Sequence, residues 1–187
     1  MAPTKKVKKG KKKWFNILAS KEFNEQRIGE TVSYDADSLV GRKLTVNLSV
    51  LTNDFRRQSK SLTFKIREVN GPNAFTELIQ FQLSPMNIKR FVRKEKDRVD
   101  DTFDVETKDG VKAIIKPLMV TRAHTQRFVH MSLRLALREF LRKEAKENSF
   151  SDLVMGLVTG NIQKMIKSQL KKVYPLSVAE IRMMRKL

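Results

Sequence analysis

The chain has 187 residues, a formal net charge of +19 and no cysteine, which allows one domain or two small ones with a core and excludes disulfides, zinc–cysteine sites and thiol nucleophiles. Hydrophobic residues make up 40%, a globular rather than a disordered proportion. No apolar run approaches the roughly 18–20 residues of a membrane span, and residues 14–19 are too short for a secretory core of about 7–15 residues, so the chain reads as soluble and intracellular.

Seven of the nine residues from Lys5 to Lys13 are lysine: Lys5, Lys6, Lys8, Lys9, Lys11, Lys12 and Lys13. Residues 1–13 have no periodicity and repel themselves, which predicts a basic arm disordered until it meets a polyanion. Period-two alternation then runs from about Trp14 to Leu83. Leu44, Val46, Leu48 and Val50 alternate with Thr45, Asn47 and Ser49, Leu62, Phe64 and Ile66 repeat the pattern, and Ile79, Phe81 and Leu83 follow a reversal at Asn70-Gly71-Pro72. Ser84-Pro85 is a helix start, with Ile88, Phe91 and Val92 inward and Lys89, Arg93 and Lys96 outward over an inserted helix near residues 84–98. Strands resume at Phe103, turn at Asp109-Gly110 and return through Ile115, with Pro117 marking an edge or a bulge. From Arg122 onward the pattern is helical: about Arg122 to Lys146, then Ser151 to Gly160, then Asn161 to Lys172, ended by Pro175.

The fold expected is therefore α+β. A basic arm (1–13) precedes an antiparallel, partly open β-barrel body (14–121) carrying the inserted helix, and a helical C-terminal part (122–187) packs on the barrel.

Charge follows the same division, with +7 in residues 1–13, only +3 in residues 14–121 and +9 in residues 122–187. On the first C-terminal helix, Val129, Leu133, Ala136, Leu137 and Phe140 point one way. Arg127, Arg134 and Arg138 fall within about 40° of one another on the other side, with Arg142 slightly beyond. Lys164, Lys167 and Lys171 repeat the scheme on the third, opposite Ile162, Met165, Ile166 and Leu170. Clustered cations release counterions from phosphates, and arginine's planar fork suits them bidentately. Lysine runs alone also serve as localisation signals or membrane-surface patches, but three one-sided basic helices and a basic arm point to nucleic acid. Trp14 and Phe15, beside the arm, offer a base-stacking pair or, more simply, a strand anchor. Readers of duplex DNA such as helix-turn-helix, zipper or zinc finger are missing, which favours RNA.

Catalytic signals are weak. His124 and His130 lie six apart on one helix and do not form an i, i+4 metal pair. Asp97, Asp100, Asp101 and Asp104 lack calcium-loop spacing. A nuclease using Asp100, Asp101 and Asp104 is the enzymatic alternative. No catalytic residue, metal ligand or cofactor is assigned.

Several strings occur in a telling order: Lys13-Trp14, Phe23-Asn24, Ile28-Gly29-Glu30-Thr31, Leu39-Val40-Gly41-Arg42 and Leu51-Thr52-Asn53-Asp54. Phe91-Val92-Arg93-Lys94, Val105 to Gly110 and Val173-Tyr174-Pro175-Leu176 running into Glu180-Ile181-Arg182 come after them. Together they resemble the S-three-A-e, or eS-one, family of small-subunit ribosomal proteins of archaea and eukaryotes. The resemblance implies a β-barrel body with C-terminal helices on the small-subunit platform, near the rRNA 3′ end and the mRNA exit. It implies rRNA and neighbouring ribosomal proteins as partners, mRNA near the exit as a further contact, a cytoplasmic ribosomal location, and no catalysis, small-molecule substrate or membrane. The resemblance implies an archaeal type, since eukaryotic members carry a C-terminal extension missing here. Residues 179–185 depart from the lysine-rich ending of the family.

The expectation is a structural protein gripping rRNA backbone with the arm lysines, Lys89, Arg93, Arg127, Arg134, Arg138, Arg142, Lys164, Lys167 and Lys171. A free RNA-binding chaperone or translation regulator is the alternative.

Overall fold

The computed structural model describes residues 11–187; Lys5, Lys6, Lys8 and Lys9 lie outside the described residues. In chain order the strands are β1 (Lys13–Leu18), β2 (Arg27–Ser33), β3 (Lys43–Asn47), β4 (Lys60–Asn70), β5 (Asn73–Leu83), β6 (Arg98–Asp100), β7 (Phe103–Glu106), β8 (Lys112–Thr121) and β9 (Leu176–Lys186). The helices are α1 (Leu48–Thr52), α2 (Pro85–Phe91), α3 (Arg127–Glu147), α4 (Phe150–Thr159) and α5 (Asn161–Leu170).

The chain divides into two units, one of residues 11–46 with Phe64–Leu78 and one of Asn47–Thr63 with Ile79–Leu187. In the first, β1 pairs antiparallel with β2 and parallel with the start of β5. Phe15, Ile17, Leu39, Ile66 and Ala74 form its core, with Ile28, Leu44 and Val69 against them. In the second, the end of β5 pairs with β9, β9 with β8, and β8 with both β6 and β7, all antiparallel.

The mixed α+β class is as the sequence predicts. The nine strands join in one sheet, on a path from β2 to β6 with β3, β4 and β7 off it, and the sheet does not close into the expected barrel. Two local features show how the alternation misleads. Leu48 and Val50 continue the strand pattern of Leu44 and Val46, yet β3 stops at Asn47 because its side-chain oxygen accepts the Ser49 N–H at 3.1 Å and caps α1. In β5 the buried side chains are Ala74, Thr76 and Leu78, then Phe81 and Leu83, so the inward parity changes where the strand passes from one unit to the other.

Turn chemistry is where the sequence predicts it. Gly71 and Gly110 take positive φ in the two hairpins, and the register of β8 against β9 shifts at Pro117, which is therefore at a bulge rather than on an edge. Helix α3 begins at Arg127, five residues later than expected, because the Asp97 carboxylate ties residues 124 and 125 into a loop. Its buried line is Leu133, Leu137, Leu141 and Ala145, while the expected inward residues Val129, Ala136 and Phe140 are half-buried. Ser149 caps the start of α4: its Oγ accepts the Asp152 N–H at 3.2 Å and donates to the Asp152 carboxylate at 2.6 Å. Residues after Pro175, expected to continue a helical part, form β9, whose Leu176, Ala179, Ile181 and Met184 are buried.

Gly160, at φ 84°, ends α4 and immediately precedes α5. An L-residue is strained there. Gly160→Ala should cost about 1 kcal/mol in urea unfolding; an unchanged midpoint would mean that the α4–α5 joint relaxes freely.

Candidate nucleic-acid interface

Among the expected basic residues, the structure brings Lys167 and Lys171 of α5 into a cleft of about 440 Å³ that also has Lys96, Arg122, Pro175, Leu176 and Ser177 in its walls. Among the described residues, four cations and no carboxylate line it. Two ammonium groups converge on one residue: Lys96 Nζ donates to Ser177 Oγ at 2.8 Å and Lys167 Nζ to the Ser177 carbonyl at 3.1 Å. Ser177 is presented by β9, and α5 is held by Ile162, Ile166 and Leu170, which are buried. Met165, expected inside with them, is exposed.

Lys96 and Arg122 are neighbours through the backbone. Thr121 N donates to Asp97 O at 3.0 Å, and Asp97 N donates to Thr121 Oγ1 at 2.9 Å. The Asp97 carboxylate fixes the loop after Arg122: it accepts the Thr125 N–H at 2.6 Å and meets His124 Nδ1 at 2.7 Å and His130 Nε2 at 3.0 Å. These partners, His124 first, hold the Asp97 carboxyl well below the usual carboxylate range, and Asp97 in turn raises the His124 pKa. Both histidines thus anchor the loop that sets Arg122.

The linkage has a definite sign. The contribution of charged His124 is complete below the ordinary histidine value of about 6.5 and is lost as pH rises through the raised one. That of Asp97 is present above about 3.9 and is lost as pH falls through the lowered one. Stability should peak between these limits, and Asp97→Asn should lower Tm and flatten the alkaline decline. Thermal scans of both proteins from about pH 5 to 8 check it; the same decline in the variant would place the pH dependence elsewhere.

The other expected residues are dispersed. Lys11, Lys12 and Lys13 are exposed; Lys13 opens β1, and Lys12 Nζ lies 5.6 Å from the centre of the Tyr34 ring. Beside them Trp14 is 68% exposed. Lys89 is exposed on α2, whereas Arg93 and Lys96 lie beyond its end. Lys164 is exposed on α5, and Arg127, Arg134 and Arg142 are exposed on α3. Arg138 differs. Its Nε and an amino nitrogen donate to Asp101 at 2.5 and 2.6 Å, and the guanidinium lies 5.8 Å from the Phe103 ring centre, so its charge is answered within the chain. Asp100, likewise, is paired with Arg98. Lys60 also faces inward: Nζ donates to Leu157 O at 2.9 Å at the end of α4, and burial lowers its pKa.

Sequence reasoning missed Arg122 and left Lys96 as one cation of the inserted helix. The wall that joins them to α5 is β9, and the only signal for it was the alternation of Leu176 and Val178 after Pro175, interrupted by Glu180.

Comparison with known proteins agrees along almost the whole length. The model of the Ribosomal S3Ae family matches residues 4–187. A relative from Methanothermobacter thermautotrophicus, named small ribosomal subunit protein eS1, is 39% identical over 170 residues, covering 91% of this chain and 87% of its own. Proteins of the same name from Nanoarchaeum equitans and Halorubrum lacusprofundi are 33% and 31% identical, covering 94% and 91% of this chain and 89% and 79% of their own. The chain belongs to the Ribosomal S3Ae family.

Proposed function

We propose that the protein is a structural constituent of the small ribosomal subunit in the cytoplasm, binding rRNA backbone and neighbouring ribosomal proteins on the platform, near the mRNA exit and the rRNA 3′ end. The observation that carries the RNA contact is the cleft of Lys96, Arg122, Lys167 and Lys171, which no carboxylate lines among the described residues. Four cations held in one concavity suit consecutive phosphates, and they gain by releasing the counterions of a folded RNA. Lys164, exposed on α5, and Arg142, exposed on α3, add further cations for phosphate. Lys89, Arg93 and the arm lysines from Lys5 to Lys13 supply further phosphate contacts, and exposed Trp14 stacks on an unpaired base. The names of the archaeal relatives support the subunit, and no step of the reading requires catalysis, a metal or a cofactor.

Sedimentation of cell extract through a sucrose gradient in high salt tests this. Co-migration of the chain with the small subunit is the expected result. Release to the top of the gradient would overturn it in favour of a free RNA-binding chaperone or translation regulator.

A further inference from the structure

The first three turns of α3 carry three large apolar side chains on the outside: Phe128, Met131 and Leu135 are 77%, 62% and 51% exposed. Their spacing of three and four puts them in one stripe along the helix. The buried line Leu133, Leu137, Leu141 and Ala145 is separate, so the helix is apolar on two sides and only one of them meets its own core. The outer stripe lines a groove of about 660 Å³ with Arg127, Arg134 and Arg138 beside it. Among the described residues, neither Arg127 nor Arg134 forms an ion pair, although the Asp101 carboxylate that holds Arg138 also feels the charge of Arg134, and the sequence has no acid between Arg127 and Arg138.

A phosphate backbone would satisfy the arginines and leave Phe128, Met131 and Leu135 in water. An apolar partner would cover the stripe and strand the arginines beside it. Both are answered by a segment that is apolar along one stripe and acidic at its margins. An amphipathic helix has this form, because anchors at i, i+3 and i+7 seat along an apolar stripe while glutamates and aspartates at the flanks meet the guanidinium groups. Exposed apolar area bordered by charge is what marks such a surface. We propose that this face of α3 is a docking site for an acidic amphipathic helix of another protein, and that Arg127 and Arg134 select that helix rather than RNA.

The site is separate from the cationic cleft, so its test is made on the purified full chain and stands or falls independently of the ribosomal reading. The probe is a fluorescein-labelled helical peptide with leucines at i, i+3 and i+7 and glutamates at the flanks. A control peptide carries lysines in place of the glutamates, and a short single-stranded oligoribonucleotide is measured in parallel. Binding is followed by anisotropy for the native chain and for the Phe128→Ser, Leu135→Ser double variant. Both side chains are exposed, and circular dichroism verifies that the variant remains folded. The acidic peptide should bind the native chain and lose at least about tenfold in affinity for the variant. The lysine peptide should not bind, and the oligoribonucleotide should bind both proteins alike. An acidic peptide that binds no better than its lysine counterpart, or equally to both proteins, overturns the proposal. An oligoribonucleotide weakened by the double substitution gives the face to RNA and overturns it as well.

Discussion

Replacing Lys96, Arg122, Lys167 and Lys171 together by glutamine should make the salt dependence of RNA binding shallower by about three to four in the slope of log K against log salt. Affinity near 0.1 M salt should fall on the order of 10²- to 10³-fold. The size comes from counting charges in one place. Each phosphate neutralised contributes roughly 0.9 to the slope on a duplex and 0.7 on a single strand, and the cleft holds four cations with no carboxylate among the described residues to answer them. Net charge alone predicts a different result. A control with Lys65, Lys108, Lys112 and Lys143 changed to glutamine alters the charge by the same amount at exposed positions off the cleft, and should leave the slope nearly as it was. Filter binding to small-subunit rRNA fragments over about 0.05–0.4 M salt separates the two. Equal slopes for both variants would mean that the chain binds as a diffuse polycation and that the cleft has no special part.

Placement of those four cations also shows what sequence can and cannot reveal. Features encoded within a few residues were legible: the turns at Gly71 and Gly110, the glycine stop at Gly160 and an irregularity at Pro117, read as an edge or a bulge and found to be a bulge. Each depends on a backbone conformation or a missing N–H that only certain residues permit. Features that depend on a distant partner were not. Leu48 reads as strand until Asn47 caps a helix, and residues 122–126 read as helix until the Asp97 carboxylate draws in His124 and Thr125. Arg138 reads as a free cation on a basic ridge until Asp101 takes both arms of its fork. The cleft combines these difficulties. Lys96, Arg122 and Lys167 lie far apart in the chain, and they meet only because β9, itself weakly patterned, brings Ser177 between them. Helical periodicity placed Lys167 and Lys171 on one face, but it carries no information on what lies opposite that face.

If β9 and α5 hold the cleft open, loosening α5 from beneath should weaken RNA binding without removing a charge. Leu170 is the residue to change. It is 1% exposed, and its carbonyl accepts the N–H groups of Val173 and Tyr174, both at 3.0 Å, so it closes the helix and starts the turn that leads through Pro175 into β9. Leu170→Ala deletes buried methyl groups at this point, and the expected cost is about 2–5 kcal/mol by urea denaturation, its size depending on how far α5 collapses into the space. Lys171 comes directly after Leu170 and Lys167 lies one turn before it, so both ammonium groups move with the helix end. RNA affinity should therefore drop in a protein that is still folded and whose net charge is unchanged. Leu141→Ala is the contrasting variant. Leu141 is also buried, at 3% exposure on α3, but it carries none of the cleft, so its variant should lose comparable stability and keep its affinity. An equal loss of affinity in both would trace the effect to general destabilisation. Loss confined to Leu170→Ala would show that the position of α5 against β9, rather than its charge alone, makes the cleft a binding site.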